Sequence, residues 1–191
     1  MDPYEMLLAR RSVRRFRPDP IPAEVLDKLI DAARLAPSAA NRQPVEFVLV
    51  DDPHRVNEIF PLVKWAGYIA PHGDPPAGHR PVAYVILLIN RNKTRDQARH
   101  DAAAAAMNIL YAGMAHGLAA CWMGAIDRAS IKRGLAIPIH CEIDSLLAMG
   151  YPDETPVIEP FRDSIRYWKD EEGVVHVPKR SLSEVLHRNR Y

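Results

Sequence analysis

The chain has 191 residues, 48% of them hydrophobic, and a formal net charge of +1. This length and composition predict one domain with a substantial buried core. Because 25 basic side chains are balanced by 24 acidic ones, the surface as a whole is not that of a polyanion binder, and no nucleic-acid partner is expected.

Several other classes of protein are also excluded. The two cysteines form no C-x-x-C motif, and the eight histidines show no H-E-x-x-H spacing, so neither a disulfide framework nor a metal site is predicted. No Walker loop, G-x-S-x-G or G-x-G-x-x-G motif is present. The stretch around Asp2 and Glu5 lacks the apolar core of a signal peptide, and no apolar run approaches transmembrane length. We therefore expect a soluble, cytoplasmic protein without a membrane partner.

The N-terminal half is predicted to begin with two helices. Asp2 is a candidate N-cap, with Pro3 at the first helical position and Glu5 completing a capping box. This helix is expected to run into a group of five arginines, Arg10, Arg11, Arg14, Arg15 and Arg17, and to be broken by the prolines after them. Apolar residues then recur at helical spacing over residues 25–33, until Pro37 stops the second helix.

The remaining elements alternate between strand and helix patterns. Strands are predicted at 47–50, 84–89, 118–125 and 143–149, and helices at 54–60, 94–116 and 130–135. Residues 61–81 are predicted to form an irregular, proline-rich loop that is a candidate lid. After residue 156 the tail is predicted to be polar and irregular, with a small strand at 174–177 and a capping box at Ser181 and Glu184. Periodicity alone thus favours an ordinary α/β sheet.

Two segments indicate a ligand. The arginine cluster with Ser12 is suited to a phosphate, while the Ser/Asn/Gln loop at residues 38–43 offers neutral donors and acceptors for a heteroaromatic ring. Together they predict a phosphorylated aromatic cofactor.

Four dispersed motifs resemble the FMN-dependent nitroreductase family. They are Arg-Arg-Ser-Val-Arg-Arg-Phe at 10–16, Ala-Pro-Ser-x-x-Asn-x-Gln-Pro at 36–44, Cys-Trp-Met-Gly at 121–124 and Gly-Tyr-Pro-Asp at 150–153. The resemblance implies a single α+β domain over residues 1–191, with a mostly antiparallel central sheet flanked by helices, in an intertwined homodimer. The C-terminal arm, about residues 156–191, is then expected to contact the partner subunit.

The resemblance also implies roles for the basic residues. Arg10 and Ser12 match positions that bind the FMN phosphate, and the basic pair Lys179 and Arg180 matches residues that complete this site. Arg14 matches the basic residue at the pyrimidine edge of the flavin, where its charge would favour the reduced ring.

Arg11 is expected to supply a backbone or ribityl contact, whereas Arg15 and Arg17 are assigned to the surface. The competing interpretation of the basic residues is a solvated helix end with ion pairs, and a solvated tail.

Two neutral segments complete the implied site. The loop that reaches FMN from the partner subunit corresponds to Pro37, Ser38, Ala39 and Asn41, with Gln43 close to the cofactor. The alternative is an ordinary turn in which Ser38 and Asn41 bond their own backbone.

Trp122, Met123 and Gly124 match the strand end that lies against the flavin ring, with the backbone N–H of Gly124 directed at flavin N5. Many members carry an acidic residue at the position of Gly124, so this chain departs from the family there.

The implied function is that of an FMN-dependent oxidoreductase. NAD(P)H would reduce FMN by hydride transfer, leave, and be replaced in the same pocket by a nitroaromatic, quinone or similar acceptor, in a ping-pong mechanism. The alternatives are a specialised member, such as a flavin destructase, dehalogenase or ene-reductase-like enzyme, and a non-catalytic flavin-binding protein.

Overall fold

The centre of the protein is a four-stranded antiparallel sheet. A computed structural model describes residues 2–70, 73–95 and 98–191. The strands are β1 (Val45–Val50), β2 (Ala83–Asn90), β3 (Ala119–Met123) and β4 (Cys141–Gly150), in the spatial order β1-β2-β4-β3. All three pairings are antiparallel. The antiparallel α+β fold implied by the resemblance is confirmed, and the α/β sheet predicted from periodicity is wrong.

Helices cover both faces of this sheet. On one face lie α2 (Ala23–Arg34) and α4 (Arg99–Ala115), and on the other lie α3 (Pro53–Ile59) and α5 (Arg128–Gly134). Every residue of β2 is buried, as its continuous apolar run predicts. Within the described residues, no helix combines the length and apolarity needed to cross a membrane.

The alanine-rich helix α4 packs closely against α2. Ala102, Ala105 and Ala106 are buried in the core that the two helices share, and Asn108 Nδ2 donates to the carbonyl oxygen of Ala32 at 2.8 Å. Small side chains allow this close approach. The helix begins at Arg99, later than the predicted residue 94, and Gly117 follows its end with a φ of 73°.

The predicted loop at 61–81 is partly ordered into short turns. It contains 3-10 turns at Phe60–Leu62 and Gly67–Ile69, and Val63 forms a bridge to Ile126. Pro71 and His72 lie outside the described residues. The lid role of this loop stays a prediction.

The C-terminal arm forms a second, three-stranded sheet. Its strands are β5 (Val157–Pro160), β6 (Trp168–Lys169) and β7 (Val175–Lys179), in the order β5-β7-β6, with β5 parallel to β7. The prediction that the tail is irregular before residue 174 is therefore wrong. The capping box at Ser181 and Glu184 is present and begins the short helix α6 (Leu182–Val185).

Both terminal helices leave apolar side chains uncovered. No residue of α1 (Pro3–Ala9) is buried, although Asp2 caps it by accepting from the N–H of Tyr4. Its apolar side chains are about half exposed, and those of α6 are similarly open: Tyr4, Leu7, Leu8, Leu182 and Val185. These helices gain little from burial within one subunit.

His176 joins the three strands of the arm. Its Nδ1 lies 2.6 Å from Glu159 Oε1 and its Nε2 lies 2.9 Å from Asp170 Oδ2, while the indole of Trp168 stacks on the ring at 4.1 Å. The hydrogen bond to Asp170, followed by that to Glu159, raises the pKa of His176, and the bond to His176 lowers the pKa of Asp170. The doubly protonated ring satisfies both carboxylates.

We expect the arm to lose stability as the pH rises above neutrality. The folded-state pKa of His176 lies above its ordinary value of about 6.5. The stabilisation that the protonated ring gives the arm is therefore complete below about pH 6.5, and it is lost as the pH rises through the raised pKa. The difference in thermal unfolding midpoint between the wild type and His176→Gln should shrink over this range. A difference that stays constant with pH would contradict this assignment, and His54→Gln, on α3, is the matched control.

Candidate functional site

The arginine segment lies alongside β3 as an extended chain. The N–H of Val13 donates to the carbonyl oxygen of Ala120 at 3.2 Å, and Ser12 forms a parallel bridge with Ala120. The helix predicted to run into the arginines instead ends at Ala9. In an extended chain alternate residues share a side, so Arg10, Ser12 and Arg14 lie opposite the buried Val13.

A buried phenylalanine fixes the far end of this segment. Phe16 is fully buried and packs on Gly150, where an added Cβ would lie 2.9 Å from the Cβ of Phe16. Glycine at 150 therefore makes room for the ring. The N–H of Arg17 donates to the carbonyl oxygen of Tyr151 at 2.9 Å, which ties the segment to the end of β4.

The arginines of the segment differ in their availability. Arg11 donates from Nη1 to the carbonyl oxygen of Arg10, and burial, together with the charge of Arg10, lowers the pKa of Arg11. The guanidinium of Arg10 forms no hydrogen bond or ion pair with any described residue. Arg10 therefore retains its donors for an anion, as the phosphate assignment requires.

Arg14 lies in a group of aromatic and basic side chains that the sequence did not reveal. Its guanidinium carbon is 5.0 Å from the ring centroid of Tyr167, whose ring is 4.9 Å from that of Tyr68. Arg166 lies over the other tyrosine, 5.5 Å from its centroid. These residues are brought together by the docking of β6 near the Gly67–Ile69 turn, so no local sequence pattern could predict the group.

Cys121 lies beside Arg14 on the buried side of β3. Burial raises the pKa of the Cys121 thiol, and the positive charge of Arg14 only partly opposes this effect. The thiol is protonated near neutral pH and is not a candidate nucleophile.

At the end of β3, hydrogen bonds hold the indole of Trp122 in place, and the main chain at Gly124 is accessible. Trp122 is 38% exposed, and its Nε1 donates to Ser145 Oγ at 2.7 Å, while Ser145 Oγ donates to Asp144 Oδ2 at 2.8 Å. Met123 is buried in the core. Apart from its two chain neighbours, no atom of the described residues lies within 4 Å of where a Cβ on Gly124 would stand, so the main chain at Gly124 is open to a flat ligand.

A cavity of about 670 Å³ adjoins this strand end. Its wall contains Trp122, Gly124 and three arginines: Arg91, Arg99 and Arg128. Arg128 is used structurally, because it donates to the carbonyl oxygens of Ile143 and Asp144. This volume is typical of small-molecule sites.

The 37–43 loop is exposed and has strained backbone angles. Ala40, Asn41 and Gln43 have φ values of 50°, 53° and 49°. Ser38 Oγ accepts from the N–H of Gln43 at 3.0 Å, and Gln43 Nε2 donates to the carbonyl oxygen of Asn41 at 3.3 Å. The internal turn bonds of the alternative interpretation are therefore present. Strain of this kind in an exposed loop is typical of a functional segment.

The two halves of the predicted site lie at opposite ends of α4. The N–H of Ala39 donates to Asp101 Oδ1 at 3.2 Å near the start of that helix, whereas Arg10 and Met114 line one small cavity near its end. A rise of 1.5 Å per residue separates Asp101 from Met114 by about 20 Å along the helix axis. One subunit alone does not bring the loop to the arginine segment.

Lys179 and Arg180 lie at the end of β7, on the arm. The guanidinium carbon of Arg180 is 4.4 Å from the ring centroid of Phe161, and its Nη1 is 3.7 Å from Glu184 Oε1. This pair is held by the arm and not by the arginine segment. Its assignment to a phosphate site stays a prediction.

Comparisons with known proteins give the family. The nitroreductase family model matches residues 7–151. The chain belongs to the nitroreductase family.

Relatives and solved structures agree with this membership. A provisionally named NADH dehydrogenase/NAD(P)H nitroreductase of Methanothermobacter thermautotrophicus is 30% identical over 177 residues, which cover 88% of each chain. The 5,6-dimethylbenzimidazole synthase of Rhodospirillum rubrum is 29% identical over 175 residues, 78% of this chain and 82% of the relative. An FMN-dependent nitroreductase of Clostridium difficile matches in structure with a TM-score of 0.71 at 22% identity, covering 97% of this chain and 98% of that one, and shows the shared fold.

The strained loop of this nitroreductase-family chain gives a stability prediction. Ala40→Gly should leave the free energy of unfolding unchanged or raise it by up to about 1 kcal/mol, because glycine adopts positive φ without steric cost. Ala39→Gly, the neighbouring control, should lower it by roughly 0.5–1 kcal/mol, because Ala39 has no positive φ to relieve. Denaturant unfolding measures both changes, and equal losses in the two variants would contradict the strain assignment.

Proposed function

We propose that this chain is an FMN-dependent oxidoreductase that accepts hydride from NAD(P)H and passes it to a nitroaromatic, quinone or similar acceptor. The observation that supports this proposal most is the bridge between Ser12 and Ala120. It aligns Arg10, Ser12 and Arg14 with β3, the strand that ends at Met123, directly before Gly124. The residues proposed to bind the phosphate and an open backbone thus lie along one edge of one sheet.

The residues present fit the phosphate of FMN. Arg10 has no partner among the described residues, and Ser12 adds a hydroxyl donor on the same side of the extended chain. A guanidinium with a hydroxyl suits a dianion. Lys179 and Arg180 would complete the site through the arm, and Arg11 would add a main-chain or ribityl contact.

The residues near the strand end fit the ring of FMN. When bound, FMN supplies the ring that accepts and returns hydride. Arg14 would place a fixed positive charge at the pyrimidine edge, and the Gly124 N–H would donate to the ring. Trp122 would form the wall beneath it, and Met123, whose side chain is buried in the core, would contribute its main chain. Through these contacts the protein orients the substrates and supplies charge, and no side chain need act as a nucleophile.

We infer that the functional unit is a homodimer. The loop of Pro37, Ser38, Ala39, Asn41 and Gln43 would reach the arginine segment of the partner subunit, which explains why the two lie at opposite ends of α4. The uncovered apolar faces of α1 and α6 would be buried in the intertwined homodimer that the family resemblance implies. Obligate interfaces of this type bury more than about 2,000 Å² in total.

A specialised reaction is the second candidate. The relatives include the 5,6-dimethylbenzimidazole synthase already described and the iodotyrosine deiodinase of Rattus norvegicus, which is 48% identical over 59 residues, 29% of this chain and 21% of the relative. Glycine at 124 also departs from the acidic residue common in the family. Mass spectrometry of the products formed by the reduced enzyme would distinguish a flavin destructase, dehalogenase or ene-reductase-like activity from nitro or quinone reduction.

Steady-state kinetics test the proposed reaction. If donor and acceptor occupy the same pocket in turn, double-reciprocal plots against NAD(P)H and a quinone should be parallel. Arg14→Gln should slow flavin reduction more than it weakens FMN binding, because its charge is best matched to the reduced ring. Arg17→Gln, on an exposed residue of the same segment, is the control. Intersecting lines would exclude the single pocket, and bound FMN that NAD(P)H does not reduce would indicate a flavin-binding protein without this activity.

Mixed dimers test the shared site. Arg10→Gln should weaken FMN binding roughly ten- to a hundredfold, the scale of a lost charge-assisted hydrogen bond. A dimer of one Arg10→Gln subunit and one Asn41→Ala subunit combines both changes in one site and leaves the other intact. Co-expressed, differently tagged subunits should therefore bind FMN at one site with wild-type affinity. Two weakened sites, one carrying only Arg10→Gln and the other only Asn41→Ala, would show that each subunit forms its own site.

A further inference from the structure

A second cavity, of about 610 Å³, lies outside the proposed flavin site. It is enclosed by the segment that follows the arginines, the start of α3 and the loop that leads into β2. Its floor is apolar, and the buried side chains of Ile21, Leu26, Val56 and Ala83 form it. It shares no lining residue with the 10–14 segment, the 37–43 loop or β3. Its size is that of a small-molecule site.

The walls of this cavity are rigid. Four of its lining residues are prolines from three separate segments: Pro18, Pro20, Pro53 and Pro81. Proline fixes φ, so little conformational entropy remains to be lost when a ligand binds.

The loop at the mouth of the cavity is also fixed by hydrogen bonds. The N–H of His79 donates to the carbonyl oxygen of Pro76 at 3.0 Å, and the N–H of Phe16 donates to the carbonyl oxygen of His79 at 2.9 Å. The His79 ring lies 2.6 Å from Asp153 Oδ2. The cavity is therefore held in shape before any ligand binds.

Two opposite charges line the cavity without neutralising each other. The guanidinium carbon of Arg80 is 4.0 Å from the ring centroid of Phe60, which orients it. Within the described residues, neither Arg80 nor Asp51 forms an ion pair. Asp52 instead caps α3 by accepting from the N–H of Arg55 at 3.0 Å, which leaves Asp51 free for another partner.

We propose that this cavity binds a small zwitterion with an apolar body, the chemistry of a free apolar amino acid or of a short apolar peptide. The carboxylate would pair with Arg80 and the ammonium group with Asp51, while the body covers the apolar floor. Both protein charges are exposed, so a ligand with one charge alone would form one of the two ion pairs and lose the binding free energy of the other. The amide of Asn57, on the same wall, adds a neutral donor and acceptor.

Titration calorimetry with four probes tests the ligand class on the purified protein. L-phenylalanine and leucyl-phenylalanine carry both charges, whereas 3-phenylpropionate and 2-phenylethylamine each lack one. We expect saturable binding of at least one zwitterion, and binding roughly tenfold weaker or more for each singly charged analogue, the scale of a lost charged hydrogen bond. The tighter of the two zwitterions identifies the source. No saturable zwitterion binding, or equal binding of a singly charged analogue, overturns the proposal.

Variants of the cavity test the location. Arg80→Gln and Asp51→Asn should each weaken zwitterion binding roughly tenfold or more. Arg55→Gln and Asp27→Asn, outside the cavity, are the matched controls. Ala77→Trp fills the exposed mouth and should abolish binding if the fold is intact, which the unfolding midpoint checks. All five variants should retain FMN content and NAD(P)H oxidation. Cavity variants that bind as the controls do would overturn the assignment, whatever the outcome of the flavin experiments.

Discussion

The organisation of the proposed site depends on the backbone hydrogen bond from Val13 to Ala120. That bond holds the N-terminal segment as an extended strand at the β3 edge, and Phe16, packed on Gly150, fixes its other end. Alternation along the extended chain then places Arg10, Ser12 and Arg14 on the side opposite Val13. A continued helix would have distributed the same residues around its surface.

The sequence predicted the individual elements better than their pairing. The apolar run of β2 correctly indicates a central strand covered on both faces, but such a run is more typical of parallel sheets, so it favoured the wrong α/β arrangement. Whether a strand runs parallel or antiparallel depends on the strands it pairs with. The apolar pattern of β2 does not show that its partners are β1 and β4, which both run antiparallel to it. In the arm, the strand predicted at 174–177 is present as β7, whereas β5 and β6 were missed, because β5 pairs in parallel with a strand more than ten residues away and β6 has only two residues.

The chemistry of the candidate site was predicted by residue type, whereas its surroundings were not. The basic segment and the Ser/Asn/Gln loop are continuous in sequence and could be found there. The contacts among Arg14, Tyr68 and Tyr167 join three distant parts of the chain, and nothing local marks them. The positive φ of Ala40 could not be predicted from the sequence either, because alanine rarely adopts this conformation.

The position of Glu154 decides how much positive charge the arginine segment can offer. A carboxylate this close to Arg14 and Arg15 would ordinarily neutralise one guanidinium, but Glu154 Oε1 accepts from the backbone N–H groups of both, at 2.5 and 3.3 Å. The guanidinium of Arg14 is instead held over the ring of Tyr167, which orients a cation without cancelling its charge. The carboxylate therefore fixes the backbone of the segment while the arginine charge remains. A fixed, unneutralised cation is what stabilisation of developing negative charge on a reduced ring requires.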